Sequence, residues 1–337
     1  MDGGQAASGG RCFEYRLTCG AMPRFFQLPM HTYARPDYGV PTMNYDEMLA
    51  KVSTASGFIA ALDQSGGSTP KALKGYGIEE DAYTTEEEMF GLIHNMRARI
   101  ITAPSFSGEK VLGAILFERT MDGEAGGKPV PTALQDRGVV PFLKVDKGLE
   151  DEADGVQMMK PMPNLDALLQ RAKAKGVFGT KKRSVINQAS PSGIAAIVKQ
   201  QFDVAEHILA AGLMPIIEPE VSIKSVDRAH SDIILRDEIL KALDNVSADH
   251  KVMLKLSIPA DAGTFDALIN HPRVLRVVAL SGGYARPEAC AELAKNKGMI
   301  ASFSRALLED LRHQMTAEEF DAALASAIDE IHAASAT

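Results

Sequence analysis

The feature that most constrains the fold is a regular alternation, from Gly57 onward, of short apolar runs with longer amphipathic segments. Near-continuous apolar runs of this length are typical of parallel strands that are covered on both faces. Strands that alternate with helices form right-handed βαβ units around a parallel sheet. The predicted strands are residues 57–63, 111–117, 139–145, 176–183, 214–220, 252–256, 275–283 and 299–305.

The segments between the runs carry helical signals. Thr85 and Glu88 have the spacing of a capping box, and residues 193–211 place apolar side chains on one stripe before Gly212 ends the helix. Residues 226–246 repeat the pattern, and their predicted buried positions are Ile233, Ile234, Ile239 and Leu243.

The order and number of these elements predict an α/β protein with a closed (β/α)8 TIM barrel of parallel strands. A doubly wound open sheet is the alternative. The chain has 337 residues, a length that such barrels reach as one domain. We predict that residues 43–337 form this single domain.

Residues 1–42 differ from the rest, because they hold two of the three cysteines and show no periodic pattern. They contain no continuous apolar stretch, which argues against a secretory signal. A transit peptide is one interpretation, and translation from Met43 is the other. We therefore predict that this stretch is a disordered leader or a non-native extension.

Composition and charge limit the partners. The net charge of −8 argues against a nucleic-acid or anionic-membrane surface, and no apolar run reaches the roughly 18 residues of a membrane span. The cysteines form no C-x-x-C pair, which suits a reducing compartment. We expect a cytoplasmic protein, or a plastid or mitochondrial one if residues 1–42 are a transit peptide. A homo-oligomer is compatible with the sequence.

Charged and hydroxyl side chains recur at the ends of the predicted strands, where barrel enzymes carry their active sites. Several come as i, i+2 pairs, so both members face the same side of their strand. These residues are Asp63, Lys144, Asp146, Lys181, Arg183, Glu218, Glu220, Ser281, Ser302, Ser304 and Arg305.

Lys255 is the sharpest of these signals, because it lies inside the apolar run Val-Met-Leu-Lys-Leu. Burial lowers the pKa of a lysine, and a neutral amine attacks a ketone to form an iminium. Glu218 is suited to the proton transfers of that reaction, with Glu220 in support. Asp63 either accepts a hydroxyl proton or orients a lysine. The alternative for Lys255 is a buried salt bridge to Glu218 or a side chain that extends to the barrel mouth.

Two segments are candidates for binding an anion. One combines Ser281, Gly282 and Gly283 with residues 302–305, and the other is the glycine-rich stretch 63–71. Neither matches a Walker A motif or a G-x-G-x-x-G fingerprint. The eight histidines are scattered, so we predict no metal site and no cofactor. A Ser-His-Asp hydrolase would lack its nucleophile elbow.

From about residue 44 onward, the chain resembles the class I, Schiff-base-forming fructose-bisphosphate aldolases, and its sequence is more similar to the bacterial-type branch. The resemblance lies in the ordered segments FIAALDQSGGSTPKAL, GAILFE, PFLKVDKG, FGTKKRS, PIIEPE, LSGG and SFSRAL. The resemblance implies cleavage of fructose 1,6-bisphosphate in glycolysis and gluconeogenesis. It also implies that Lys255 is the Schiff-base lysine and that Glu218 is the acid/base glutamate. Glu220 would tune Glu218, and Asp63 would help to deprotonate the C4 hydroxyl.

The resemblance also implies the substrate-binding residues. Lys181, which we place among the catalytic residues as well, would hold sugar oxygens and the C6 phosphate together with Lys144 and Arg183. The side chains beside that phosphate would be those of Ser65, Ser68 and Lys71. The C1 phosphate site would consist of Ser281, Gly282, Gly283, Ser302 and Arg305.

Two departures from the animal-type members stand out. The chain lacks their C-terminal tyrosine, its last tyrosine being Tyr284, and Lys182 replaces a tryptophan. The remaining alternatives are a transaldolase, a Schiff-base aldolase for a sugar monophosphate, and a non-catalytic scaffold that keeps the fold.

Overall fold

Eight parallel strands, joined mainly by helices, form the central sheet of the computed structural model, which describes Met1 and residues 43–337. Each strand pairs with the next one along the chain. In chain order, β1 to β8 are Phe58–Leu62, Val111–Leu116, Val140–Lys144, Gly179–Ile186, Met214–Val221, Val252–Ser257, Val274–Leu280 and Met299–Ala301.

A hydrogen bond links the two ends of this sheet. The amide of Ala61 in β1 donates to the carbonyl oxygen of Phe303, just after β8, at 3.1 Å. The strand order follows the chain order around the ring. The prediction of a (β/α)8 TIM barrel is therefore confirmed, and the doubly wound open sheet is excluded.

Most of the helices surround the ring. In chain order, α1 to α12 are Tyr45–Thr54, Thr69–Gly75, Glu86–Thr102, Glu118–Asp122, Val130–Gln135, Leu165–Ala174, Pro191–Ala210, Arg228–Leu243, Asp266–Ile269, Arg286–Leu293, Arg305–Leu308 and Ala317–Ala334. Short 3₁₀ turns cover Gly66–Ser68 and Glu80–Ala82. The short strands Glu124–Ala125 and Lys128–Pro129 form a hairpin, and Val156–Gln157 pairs antiparallel with β4.

Local signals explain where the predicted helices begin. The Thr85 hydroxyl accepts a hydrogen bond from the Glu88 amide at 3.2 Å, and the Glu88 carboxylate accepts from the Thr85 amide at 3.1 Å. The predicted capping box therefore starts α3. Ser190 caps α7 in the same way, through a bond from the Gly193 amide at 3.2 Å.

One predicted core position in α8 was wrong. Ile233 is 41% exposed, because the buried stripe of α8 runs through Asp232, Leu235, Ile239 and Leu243. These positions recur at intervals of three and four residues, and Ile233 lies about 100° around the helix from Asp232. A buried polar residue, Asp232, takes the place that an apolar pattern assigned to Ile233.

The last two strands end earlier than predicted. β7 stops at Leu280, because Gly282 and Gly283 turn the chain with φ of +61° and +123°. β8 stops at Ala301, and α11 begins at Arg305. Ser281 to Gly283 and Ser302 to Ser304 therefore belong to loops, although the Ser302 amide still donates to the carbonyl oxygen of Ala279 in β7 at 2.7 Å.

The barrel separates two apolar cores. The inner core fills the ring with side chains such as Ile59, Phe142, Ile216 and Met253, and the outer core lies between the ring and the helices. Gly179 makes room inside, because a Cβ atom there would lie 2.3 Å from the carbonyl oxygen of Met214 and 3.0 Å from the Phe142 ring.

Helix α1 covers one end of the inner core. Its Met48 and Val52 are buried in that core. The Arg276 guanidinium of β7 donates to the carbonyl oxygen of Ser53 at 2.7 Å and so fastens the end of α1 to the barrel. The N-terminal ends of the strands are thus packed with apolar side chains, and the C-terminal ends are left for polar groups.

The prediction for residues 1–42 concerns positions 2–42, which lie outside the described residues. Residues 43–337 fall within one compact unit. Among the helices of the described part, none combines the length and the apolar character that crossing a membrane requires.

Candidate active site

The strands aim polar side chains into the ring by simple alternation. Because side chains on a strand alternate between its two faces, every second residue after an inner-core residue also faces inward. Phe142 is followed by Lys144, Ile216 by Glu218, and Met253 by Lys255. Apolar layers fill the lower part of the barrel, and these charged groups form its uppermost layer.

A chain of ion pairs connects the central residues. The Lys255 Nζ lies 3.0 Å from Oε1 of Glu218, and the Lys181 Nζ lies 2.8 Å from Oε2 of the same carboxylate. Lys181 also contacts Oδ2 of Asp63 at 2.5 Å. All four residues are buried. One carboxylate therefore bridges two lysines, and one lysine bridges two carboxylates.

The pKa shifts of Asp63, Glu218 and Lys181 all favour the ionised forms of these three residues. Burial alone would raise the pKa of Asp63, but Lys181 and then Lys255 outweigh it and hold that pKa well below its usual range. Burial opposes ionisation of Glu218 too, and the same two lysines lower its pKa. Burial disfavours the Lys181 ammonium, yet Asp63 and Glu218 raise its pKa above the ordinary value. Both carboxylates are thus ionised at neutral pH.

Two further cations, Lys144 and Arg183, lie near these ion pairs. Lys144 lies 2.5 Å from Oδ1 of Asp146, and the other carboxylate oxygen of Asp146 accepts the Arg183 amide at 3.1 Å. The Arg183 Nε donates to Glu220 at 2.5 Å. Burial lowers the pKa of Arg183, but Glu220 more than offsets this and the pKa is raised. Glu220 therefore engages a cation rather than the central lysine.

Sequence reasoning noted Asp146 at a strand end but gave it no role in the site. The signal was present, because Asp146 lies two residues after Lys144 and faces the same side. Its carboxylate touches Lys144, the Arg183 amide and the Gly148 amide. Asp146 thus orders two of the predicted substrate-binding residues.

The loops after β7 and β8 bring the first anion-binding candidates together. Gly282 has no space for a side chain, because a Cβ atom would lie 2.5 Å from Cγ2 of Ile223. A Cβ atom on Gly283 would lie 3.3 Å from the Arg305 guanidinium, so that cation lies beside the glycine turn. The Ser302 hydroxyl is buried and has no hydrogen-bond partner among the described residues. This combination of donors suits an anionic group.

The loop after β1 forms the second anion-binding candidate. The Ser68 hydroxyl donates to the Ser65 carbonyl oxygen at 2.9 Å and accepts from the Ser65 amide at 3.0 Å. This turn leads into α2, whose third residue is Lys71. The loop is therefore pre-shaped, with a cation close to its end.

One cavity joins all of these elements. It has a volume of about 800 Å³, within the range of roughly 300–1,000 Å³ that is usual for ligand sites. Every site residue that the sequence predicted lines it: Asp63, Ser65, Ser68, Lys71, Lys144, Lys181, Arg183, Glu218, Glu220, Lys255, Ser281, Gly282, Gly283, Ser302 and Arg305. Their placement is thus established by the structure, whereas their chemical roles are proposals.

The cavity also contains residues to which the sequence assigned no role of their own. Gln64 and Ser304 lie within the two anion-binding candidate segments, and Tyr284 lies after β7. The Arg228 guanidinium donates to the Tyr284 hydroxyl at 2.6 Å. A glutamine and a serine in a loop carry no charge signal, so the sequence gave no reason to assign either of them a role of its own.

Lys182 lies on the other face of β4 from Lys181 and Arg183. Its side chain is fully buried, and its amine has no hydrogen-bond partner within the described part of the chain. Burial lowers the pKa of Lys182 to about 7, although the charge of Asp146 opposes this shift. Lys182 is not among the residues that line the cavity.

Comparison with known proteins agrees with this geometry. The family model described as fructose-bisphosphate aldolase class-I matches residues 47–259, more than half of the chain. A fructose-bisphosphate aldolase from Plasmodium falciparum, solved with TRAP and a small-molecule inhibitor, has a TM-score of 0.72 at 21% identity, over 86% of this chain and 93% of that one.

A second solved structure is a protein from Corynebacterium glutamicum, with a TM-score of 0.51 at 15% identity, over 86% of this chain and 91% of that one. At such identities the two structures establish the shared fold alone. The match to the family model carries the assignment further: this chain belongs to the class-I fructose-bisphosphate aldolase family.

Proposed function

We propose that the protein catalyses the reversible cleavage of fructose 1,6-bisphosphate to dihydroxyacetone phosphate and glyceraldehyde 3-phosphate. In this proposal Lys255 forms a Schiff base with the substrate ketone, and no metal takes part. The observation that carries it is the 3.0 Å contact between Lys255 and Glu218 at the floor of a cavity with anion-binding candidates on its walls.

The first step is formation of the iminium. Glu218 takes a proton from the Lys255 ammonium, and the free amine attacks the C2 carbonyl to give a carbinolamine. Glu218 then returns that proton to the carbinolamine hydroxyl, which leaves as water. An ammonium and a ketone thus become an iminium and water, with no net change in protons. The lowered pKa of Glu218 keeps it ionised at the start, which is the form in which a carboxylate can accept a proton.

The second step breaks the C3–C4 bond. Asp63 accepts the C4 hydroxyl proton, the C3–C4 electron pair moves into the iminium, and glyceraldehyde 3-phosphate leaves. The enamine is then protonated and hydrolysed to dihydroxyacetone phosphate. Lys181, paired with both Asp63 and Glu218, would keep the two carboxylates in place and stabilise charge on the sugar oxygens.

The two phosphate groups would occupy different parts of the cavity wall. The C1 phosphate is assigned to the backbone and side chains of Ser281, Gly282, Gly283, Ser302 and Arg305. The C6 phosphate is assigned to Lys144 and Arg183, with Ser65, Ser68 and Lys71 beside it. Cations and free donors on both walls support a substrate with two phosphates, although the protein carries net negative charge.

The proposal places this reaction in glycolysis and gluconeogenesis, in the cytoplasm, without a nucleic-acid or membrane partner. A homo-oligomer remains compatible with it.

The test is turnover of purified protein in EDTA with fructose 1,6-bisphosphate and, separately, fructose 1-phosphate. We expect the bisphosphate to be cleaved more efficiently, because only it fills both anion-binding walls. Lys255→Arg should lower kcat by several orders of magnitude. Lys251→Arg, a change at an exposed position just before β6, is the matched control and should keep full activity.

Equal efficiency on both substrates would favour an aldolase for a sugar monophosphate. Transfer of a carbon fragment from a ketose donor to an aldose acceptor would favour a transaldolase. Absence of turnover with either substrate, in a folded protein, would favour a scaffold.

A further inference from the structure

Arg97 is a buried arginine whose hydrogen-bond partners are neutral oxygens. It is 1% exposed on α3, and no acidic side chain in the described part of the chain lies within ion-pair distance of it. Its guanidinium donates to the Thr120 hydroxyl at 2.8 Å and to Gln64, both to the backbone oxygen at 2.5 Å and to the side-chain oxygen at 3.2 Å. A buried charge is costly unless its hydrogen bonds are satisfied, and three of the four hydrogen bonds of Arg97 are made to Gln64.

These bonds fix the orientation of the Gln64 amide. A guanidinium only donates, so the Gln64 Oε1 must face Arg97 and its Nε2 must face away. The Nε2 donates to the Ser304 hydroxyl at 2.7 Å and to the carbonyl oxygen of Ala61 at 3.2 Å. Gln64 is itself almost fully buried, so water does not compete well for these bonds.

The two ends of this link are the two anion-binding candidates. Gln64 directly precedes the loop of Ser65 and Ser68, and Ser304 directly precedes Arg305. The Ser304 hydroxyl makes no capping bond to α11, so Gln64 is the partner that the structure gives it. The link therefore ties the loop after β1 to the loop after β8 across the seam where the barrel closes.

We propose that Gln64, held by Arg97, is a positioning residue that sets the distance between the two anion-binding walls and thereby selects a ligand with two phosphate groups. The inference rests on the proposed function, because it assigns one phosphate to each wall. A ligand with a single phosphate needs only one wall, so a change in their separation leaves its binding almost unaffected. A bisphosphate needs both walls at a fixed spacing, and pre-organisation of that spacing lowers the cost of binding.

The first test compares kcat/KM for fructose 1,6-bisphosphate with that for fructose 1-phosphate in Gln64→Leu and Ser304→Ala. Each variant removes the link between the walls, and Ser304→Ala does so without disturbing Arg97. We expect the ratio of the two efficiencies to fall about tenfold, the usual effect of one lost hydrogen bond of this kind, with fructose 1-phosphate changed less than about threefold.

Two further variants separate positioning from general damage. In Gln64→Glu the carboxylate still accepts from Arg97 and also accepts from the Ser304 hydroxyl, but it loses the bond to the Ala61 carbonyl oxygen, so the ratio should return part of the way toward wild type. Thr120→Val removes the other bond of Arg97 and leaves the link to Ser304, so the ratio should stay within about twofold of wild type. If kcat/KM falls by the same factor for both substrates in Gln64→Leu and Ser304→Ala, the inference is overturned. It is also overturned if the ratio of the two efficiencies falls as far in Thr120→Val as in those variants.

A binding experiment distinguishes failure of the inference from failure of the proposed function. Calorimetry measures the affinities of the wild type and of Ser304→Ala for a non-cleavable hexitol 1,6-bisphosphate and for inorganic phosphate. If wild type cleaves neither sugar, the proposed function fails, and selective loss of bisphosphate affinity in Ser304→Ala still supports the positioning role. If that affinity is unchanged in Ser304→Ala, or if wild type binds the bisphosphate no more tightly than phosphate, the positioning role is wrong.

Discussion

Lys181 and Lys182 are adjacent in β4 but face opposite sides of the strand, and their pKa values are shifted in opposite directions. Lys181 faces the interior of the barrel, contacts Asp63 and Glu218, and has a raised pKa. Lys182 faces the helices, is equally buried, and has no hydrogen-bond partner among the described residues, so burial lowers its pKa to about 7. Burial alone thus does not make a lysine a stable cation. The partners on its side of the strand decide the charge.

Replacement of Lys181 and replacement of Lys182 should differ most in their effect on activity. Lys181→Met leaves Asp63 and Glu218 to repel each other without a bridging cation, and we expect kcat/KM to fall by about 10³-fold or more. Lys182→Met changes no group of the cavity and should keep kcat/KM within about threefold. Steady-state assays on folded protein, verified by circular dichroism, measure both. Similar losses in the two variants would show that the two faces of β4 do not differ in function.

The two carboxylates of β5 sharpen the comparison within the cavity. Glu218→Gln removes the group that contacts Lys255 and should lower kcat by about 10²–10⁴-fold, as expected for loss of a general acid–base residue. Glu220→Gln removes a partner of Arg183 and should cost only about tenfold, mainly in KM. The comparison fails if Glu220→Gln lowers kcat as much as Glu218→Gln does.

The stability of Lys182→Met should depend on pH in a defined direction. Unfolded, the Lys182 amine binds a proton below its ordinary pKa of 10.5, and folded it does so only below about 7. Between these values the unfolded state binds more protons, so wild-type stability rises with pH through this window. The methionine variant lacks this dependence, and its advantage over wild type should be largest at pH 7, at a few kcal/mol, and shrink by roughly 1.4 kcal/mol per pH unit toward 10.5.

Urea unfolding of both proteins at several pH values between 7 and 9.5 measures this difference. Other groups titrate in both proteins, so they cancel when the free energies of unfolding are subtracted. An advantage that is constant with pH would mean that Lys182 stays protonated in the fold.

The smallest effect concerns Asp146, whose carboxylate contacts Lys144 and the Arg183 amide. Asp146→Asn weakens the contact with Lys144 and should raise KM about tenfold, with kcat changed less than about threefold. Asp203→Asn, which removes the partner of Lys199 in an exposed ion pair on α7, is the matched control and should change neither value. Loss in kcat rather than KM would place Asp146 in the chemical step.

The sequence was most informative where a period of two governs the chain. The inward-facing positions of Lys181, Arg183, Glu218 and Lys255 follow from that period once the strands are located. The fold followed from the alternation of strands and helices. No such period predicts that Lys181 bridges two carboxylates or that Gln64 is linked to Ser304, because both contacts join residues that are far apart in the chain.

Some features were beyond the sequence for physical reasons. The residue spacing in α8 favoured Ile233 as a core position, and only packing showed that Asp232 takes it. Lys182 was singled out because it replaces a tryptophan of the animal-type members that the chain resembles. That its amine has no hydrogen-bond partner among the described residues depends on which neighbours surround it in three dimensions. Asp146 was visible at a strand end, and its contacts with Lys144 and the Arg183 amide could be seen only once β3 and β4 were paired.

The central claim is that Lys255, and not the equally buried Lys181 or Lys182, forms the covalent intermediate. The most direct test is borohydride trapping with dihydroxyacetone phosphate in EDTA, followed by peptide mass mapping. We predict one stable adduct, on Lys255, which disappears in Lys255→Arg. An adduct on another lysine, or turnover of substrate with no adduct at all, would contradict the account.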